Sequence, residues 1–153
     1  LRNLKTLMIG ICVLFILTAC NQSDWYDTRD EAIENGLQEE GIGESSTVSI
    51  EEYDGETIVL YAQDNSLGVA SITESEEGYS WYRSAPNHRF EVTGDLPYTT
   101  GSFEVETESG MQVTIFYGEI FDSTIQVNDV ASREGLDELT LLGDSKLFYA
   151  VFE

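Results

Sequence analysis

Sulfur, imidazole and positive charge are scarce in this chain. It carries two cysteines, one histidine and seven Lys or Arg, against 29 Asp or Glu. Both cysteines, Cys12 and Cys20, fall in the first twenty residues, so no thiol pair remains to staple the rest of the chain and a disulfide framework is excluded. With His88 as the sole histidine, zinc sites and His-based triads lack their parts. No His-Glu-x-x-His, phosphate loop or Gly-x-Ser-x-Gly nucleophile turn occurs. Neither Glu51–Glu56 nor Asn128-Asp129 has the alternating oxygen spacing of a calcium loop. No metal and no cofactor is therefore expected. A net charge of −22 repels nucleic acid as well as anionic polymers, within a screening length of about 8 Å, so no nucleic-acid partner is expected either.

Long apolar runs are also missing. The longest, Leu7 to Leu17, falls short of the roughly 20 residues a membrane-spanning helix needs. Preceded by Arg2 and Lys5 and closed by Leu17-Thr18-Ala19-Cys20, it resembles a bacterial lipoprotein signal peptide ending in its lipobox. The resemblance implies cleavage before Cys20, diacylglyceryl attachment to its sulfur, and residence on the extracytoplasmic face of the cell membrane through that anchor. Residues 1–19 are then a signal peptide, 20–26 a lipidated tether, and 27–153 a single β-rich domain. Two fatty chains hold a protein on a bilayer durably where one gives marginal binding. Removing residues 1–19 takes away Arg2 and Lys5 and no acid, which moves the charge to −24. The remaining 134 residues suit one domain, far smaller than a two-lobed solute-binding lipoprotein.

Thr28 followed by Glu31 has capping-box spacing, and Ile33 and Leu37 share a helical face, which predicts a helix from about Arg29 to Glu40. Gly36 weakens it by about 1 kcal/mol against Ala, and Gly41 and Gly43 end it. From Val48 onward the period becomes two. Ile58–Ala62 reads as a central strand, with Leu67–Ile72 returning beside it after the Gln63–Ser66 turn. Tyr79–Arg83 and His88–Val92 are two further candidates. Phe103 and Val105 alternate with Glu104, Glu106 and Glu108, placing acids on one face. Met111 to Tyr117 alternates cleanly, and Gly118-Glu119 is expected to turn the chain into a hairpin with Phe121–Val127. Asp129–Asp137 reads as loop or a single helical turn, and Glu138–Leu142 and Leu147–Phe152 complete the sheet. The expected fold is α+β: one short N-terminal helix followed by a largely antiparallel sheet of eight to ten strands.

Gly78-Tyr-Ser-Trp-Tyr-Arg-Ser-Ala-Pro-Asn-His-Arg-Phe90 is the most distinctive segment, concentrating three aromatics before the proline, two arginines and the histidine. Tyr79, Trp81, Arg83, His88 and Arg89 are the candidate ligand-binding residues. The aromatics can stack on a sugar or peptide, and a guanidinium can pair with an anion. Set against this, large aromatics usually bury and an acidic domain needs internal counterions. With 29 acids, carboxylate pairs arise by chance, so no catalytic residue is nominated.

A lipobox, a short Glu-rich helix, a β-rich domain and the Gly78-Tyr-x-Trp81 stretch together resemble the small lipoproteins of Bacillus-type Gram-positive bacteria. That resemblance implies export and anchoring and brings no activity with it. The functional expectation is a membrane-anchored, non-catalytic interaction or accessory module for a protein or cell-envelope glycan. The alternative is an envelope hydrolase working through two carboxylates.

Overall fold

The computed structural model describes residues 24–43, 46, 48–90 and 95–152. The signal peptide, Cys20 and the tether up to residue 23 lie outside the described residues, as do Glu91 and Val92 of the expected fourth strand.

The α+β expectation is overturned. The chain is mostly β, with 48% of the described residues in strands and 16% in helices, and the strands form two sheets rather than one. The first sheet takes the order β1-β5-β4-β3-β2: Trp25–Tyr26, Gly78–Tyr82, Ser66–Ser75, Glu56–Gln63 and Val48–Tyr53. Short strand β6 (His88–Arg89) pairs with the start of β4, at Ser66 and Leu67. The second sheet runs β7-β8-β10-β9: Tyr98–Glu106, Gln112–Ile120, Leu147–Phe152 and Thr140–Leu141. Every pairing among the described strands is antiparallel.

Strand alternation sends successive side chains to opposite faces, and here both faces of both sheets find apolar partners. Ile58, Leu60, Leu67 and Val69 of the first sheet meet Val105, Val113, Ile115 and Tyr149 of the second in the central core. Val59 and Ile72 face the other way, under Ala32 and Ile33 of helix α1 (Arg29–Glu39). On the far side of the second sheet, Ile120 and Phe148 pack under Val130 and Ala131 of helix α2 (Val127–Glu134). The result is four layers, helix, sheet, sheet, helix, with three apolar seams.

Helix α1 starts where the capping pattern places it: the Thr28 hydroxyl accepts the Glu31 N–H at 3.2 Å. Helix α2, eight residues long, stands in place of the loop or single helical turn expected at Asp129–Asp137. The Gln126 N–H donates to the Asp129 carboxylate at 2.9 Å, and Gly135 closes the helix at φ 74°. The expected hairpin into Phe121–Val127 is absent. Strand β8 runs straight through Gly118 to Ile120, and the hairpin partner of β8 is β7, joined around Ser109-Gly110.

Candidate functional site

The distinctive segment is divided between two seams. In β5, Tyr79 and Trp81 point toward α1 while Ser80 and Tyr82 point inward. Trp81 is half-buried against the helix at Gly36, with its ring centroid 6.1 Å from that of Tyr61. Tyr79 packs in the same seam, and the neighbouring Glu74 carboxylate raises its phenol pKa.

Arg83 is consumed by structure. It forms an ion pair with Glu40 at the end of α1 and donates to the Ala85 carbonyl at 3.0 Å and the Asn87 side-chain oxygen at 2.7 Å. Asn87 donates in turn to Gln63 at 2.7 Å, and Gln63 donates to the Glu40 carbonyl at 2.8 Å, closing a ring of polar contacts. The guanidinium lies 5.9 Å from the centroid of Tyr61, whose phenol is pushed up to about 12 by burial, with Arg83 acting in the opposite direction. This cluster ties the helix to the sheet.

His88 and Arg89 stand apart from that seam. Strand β6 is held by a two-way clasp: the Phe90 N–H donates to the Asn65 carbonyl at 3.1 Å, and the Asn65 amide donates to the Phe90 carbonyl at 3.1 Å. Asp64 and Asn65, at φ 45° and 61°, form the tight turn that presents this clasp. The His88 ring stacks on Phe103 of the second sheet at 3.5 Å between centroids and 9° between planes. Tyr117 meets Phe103 and Phe90 edge-on, at 5.3 Å and 5.5 Å.

Between the sheets at this point lies a cleft of about 300 Å³, lined by His88, Arg89, Phe90, Thr99, Thr100 and Tyr117 among others. That size is at the lower end for a small-molecule site. Burial lowers the His88 pKa from its usual value, so the imidazole is neutral at pH 7 and offers one donor and one acceptor. Arg89 is exposed and forms no ion pair with any described residue. Aromatic edges, two hydroxyls, a neutral imidazole and a guanidinium can hold a small anionic group. No group of three or more His, Cys, Asp or Glu among the described residues could hold a metal ion.

Of the five sequence candidates the structure brings His88 and Arg89 together at one cleft and places Tyr79, Trp81 and Arg83 in the helix seam. Sequence reasoning missed Phe90, Thr99, Phe103 and Tyr117 as their neighbours. The alternation of Phe103 with Val105, and of Tyr117 with Ile115, marks both rings as core-facing, but not which strand lies opposite. No protein-family model, curated protein or solved structure matches the chain.

Proposed function

We propose that the protein is a lipid-anchored, extracytoplasmic binding module that takes a carboxylate- or phosphate-bearing fragment of the cell envelope at the His88–Arg89 cleft and performs no chemistry on it. The anchor rests on Arg2, Lys5, the apolar stretch and Leu17-Thr18-Ala19-Cys20. The binding role rests on one observation: a cleft lined by His88, Phe90, Tyr117 and two threonines is bordered by Arg89, whose guanidinium meets no described carboxylate on a strongly acidic chain. An arginine in that position supplies a bidentate bond to a carboxylate or phosphate, and the screened repulsion of the remaining surface does not prevent close approach.

Calorimetric titration of the full chain in detergent with muramoyl dipeptide and with glycerol phosphate tests the binding role. At least one probe should bind, and Arg89→Ala should weaken it by about tenfold or more, equivalent to 1.4 kcal/mol. Equal binding by the variant, binding of neither probe, or turnover of a wall polymer refutes the reading. The anchor is tested separately by detergent partition of the precursor expressed in a Gram-positive host. The unaltered chain should enter the detergent phase and Cys20→Ser the aqueous phase.

A further inference from the structure

Among the described strands, β2 ends the first sheet and pairs with β3 alone. The turn at Asp54-Gly55, with φ of 46° and 86°, joins Tyr53 directly to Glu56. A two-residue turn of this kind makes the flanking residues a hydrogen-bonded pair. Ladder alternation then directs the backbone N–H and C=O of Glu52, Ile50 and Val48 away from β3. Edges of this sort are normally guarded by proline, by charged side chains, lysine above all, or by a bulge. Val-Ser-Ile-Glu-Glu-Tyr contains no proline or lysine, and Ile50 at its centre is 46% exposed.

Beside this edge runs a groove of about 200 Å³ between β2 and β10, with Tyr53, Tyr149 and Val151 on its walls and Glu51, Glu52 and Glu138 at its rim. Strand β9 covers Phe148 and Tyr149 of β10, leaving Ala150 and Val151 with β8 as their one neighbour among the described strands. An unpaired ladder, an exposed apolar side chain and a lined groove therefore coincide.

We propose that the β2 edge is the docking site for an extended segment of a partner protein, added as a strand and carrying a Lys or Arg two positions from an apolar residue. Charge selects this occupant over a second copy of the chain. Two β2 edges brought together would crowd Glu51 and Glu52 against their own counterparts, whereas a basic segment meets both. Spacing selects the pattern: an apolar side chain lies opposite Ile50, and a basic one two positions along lies opposite Glu52 on the same face. Glu52 already pairs with Arg29 at 2.6 Å, but both side chains are substantially exposed, so that pair yields at little cost. Main-chain bonds supply affinity and the flanking acids supply selectivity.

The test titrates the full chain in detergent with a ten-residue Lys-Val peptide, built on a Val-Ser-Lys-Ser repeat, and with its Glu-Val counterpart, in which Glu replaces Lys, following fluorescence anisotropy and amide exchange by NMR. The Lys-Val peptide should bind and the Glu-Val peptide should not. Exchange at the amides of Val48, Ile50 and Glu52 should slow. Ile50→Pro removes one outward N–H and no bond to β3, and should weaken binding by about tenfold or more. Ile50→Arg should do the same by repulsion, and decides the matter if the proline variant melts early. Unchanged binding by Ile50→Arg, protection confined to another edge such as β7, or equal binding of both peptides overturns the proposal. So does a dimer, seen by sedimentation without peptide, in which those three amides are already protected.

Discussion

The indole of Trp81 occupies the space a β-carbon on Gly36 would need: an atom there would lie 2.0 Å from the ring. Glycine in mid-helix is unfavourable by propensity, and here its lack of a side chain lets the ring lie directly against the helix backbone. Trp81 is committed to that contact and is not available as a stacking platform for a ligand.

Gly36→Ala should therefore destabilise the protein, against the roughly 1 kcal/mol gain that helix propensity alone predicts. Overpacking of this kind costs about 1–3 kcal/mol. Urea unfolding measures it, and Trp81→Leu in the Gly36→Ala background should recover part of the loss. An alanine variant as stable as the parent would show that the ring is not held there.

Tyr149 ties the sheets at the opposite edge. Its phenol is shared with Ser49 at 2.6 Å and donates to Glu51 at 2.5 Å, while the ring is buried in the central core. Tyr149→Phe should cost about 1–3 kcal/mol, since Glu51 loses its donor. Burial, followed by the bond to Glu51, pushes the phenol up to about 12 from an ordinary value of 10.0. A raised folded pKa gives stability that is present in full below pH 10 and is lost as pH rises from 10 to 12. The gap between the parent and Tyr149→Phe in melting experiments should narrow across that window.

His88 sets an acid limb of opposite sense. Burial lowers its folded pKa below the ordinary 6.5, so the unfolded chain takes the proton more readily. The contribution of the neutral ring is complete above pH 6.5 and falls as pH drops below it, levelling off beneath the depressed folded pKa. His88→Gln should flatten the stability profile there, measured by chemical unfolding from about pH 7 down to about pH 4.

The two arginines of the segment should separate in one experiment. Arg83→Ala leaves Glu40, Asn87 and the Ala85 carbonyl without their donor and should cost about 1–3 kcal/mol. Arg89→Ala touches no described partner and should change stability by less than about 0.5 kcal/mol. Thermal melts of the pair test this, and equal losses would contradict the division of the segment between two seams.

Local pattern made much of the first sheet legible. The Thr28 cap, the apolar run at Ile58–Ala62 and the turn at Gln63–Ser66 each depend on neighbours in sequence. What escaped was decided by residues far away. Gly118 looks like a turn in sequence, yet it is a strand residue on which the Thr99 carbonyl and the Phe148 ring close in; a β-carbon would stand 2.0 Å and 2.3 Å from them. Once Gly118 stays in the strand, Phe121–Val127 loses its hairpin partner and the chain beyond it is free to form α2. Alternation of period two likewise shows that a strand has two faces without revealing that both are covered, which is why one sheet was expected and two were found. The candidate site failed in the same manner. Tyr79 and Arg89 are ten positions apart in a segment that reads as one patch, but β5 and β6 pair with different stretches of β4, and their key side chains serve different layers.

Strand β1 has a mechanical consequence if the chain is tethered at Cys20. Among the described residues, a pull between membrane and domain first meets the sheet at Trp25 and Tyr26, a strand two residues long paired with Ser80 and Tyr79. Load applied to the end of so short an antiparallel pair peels its bonds singly rather than shearing them together. β1 would lift from β5 first, lengthening the leash by a few residues while the four layers behind it stay closed.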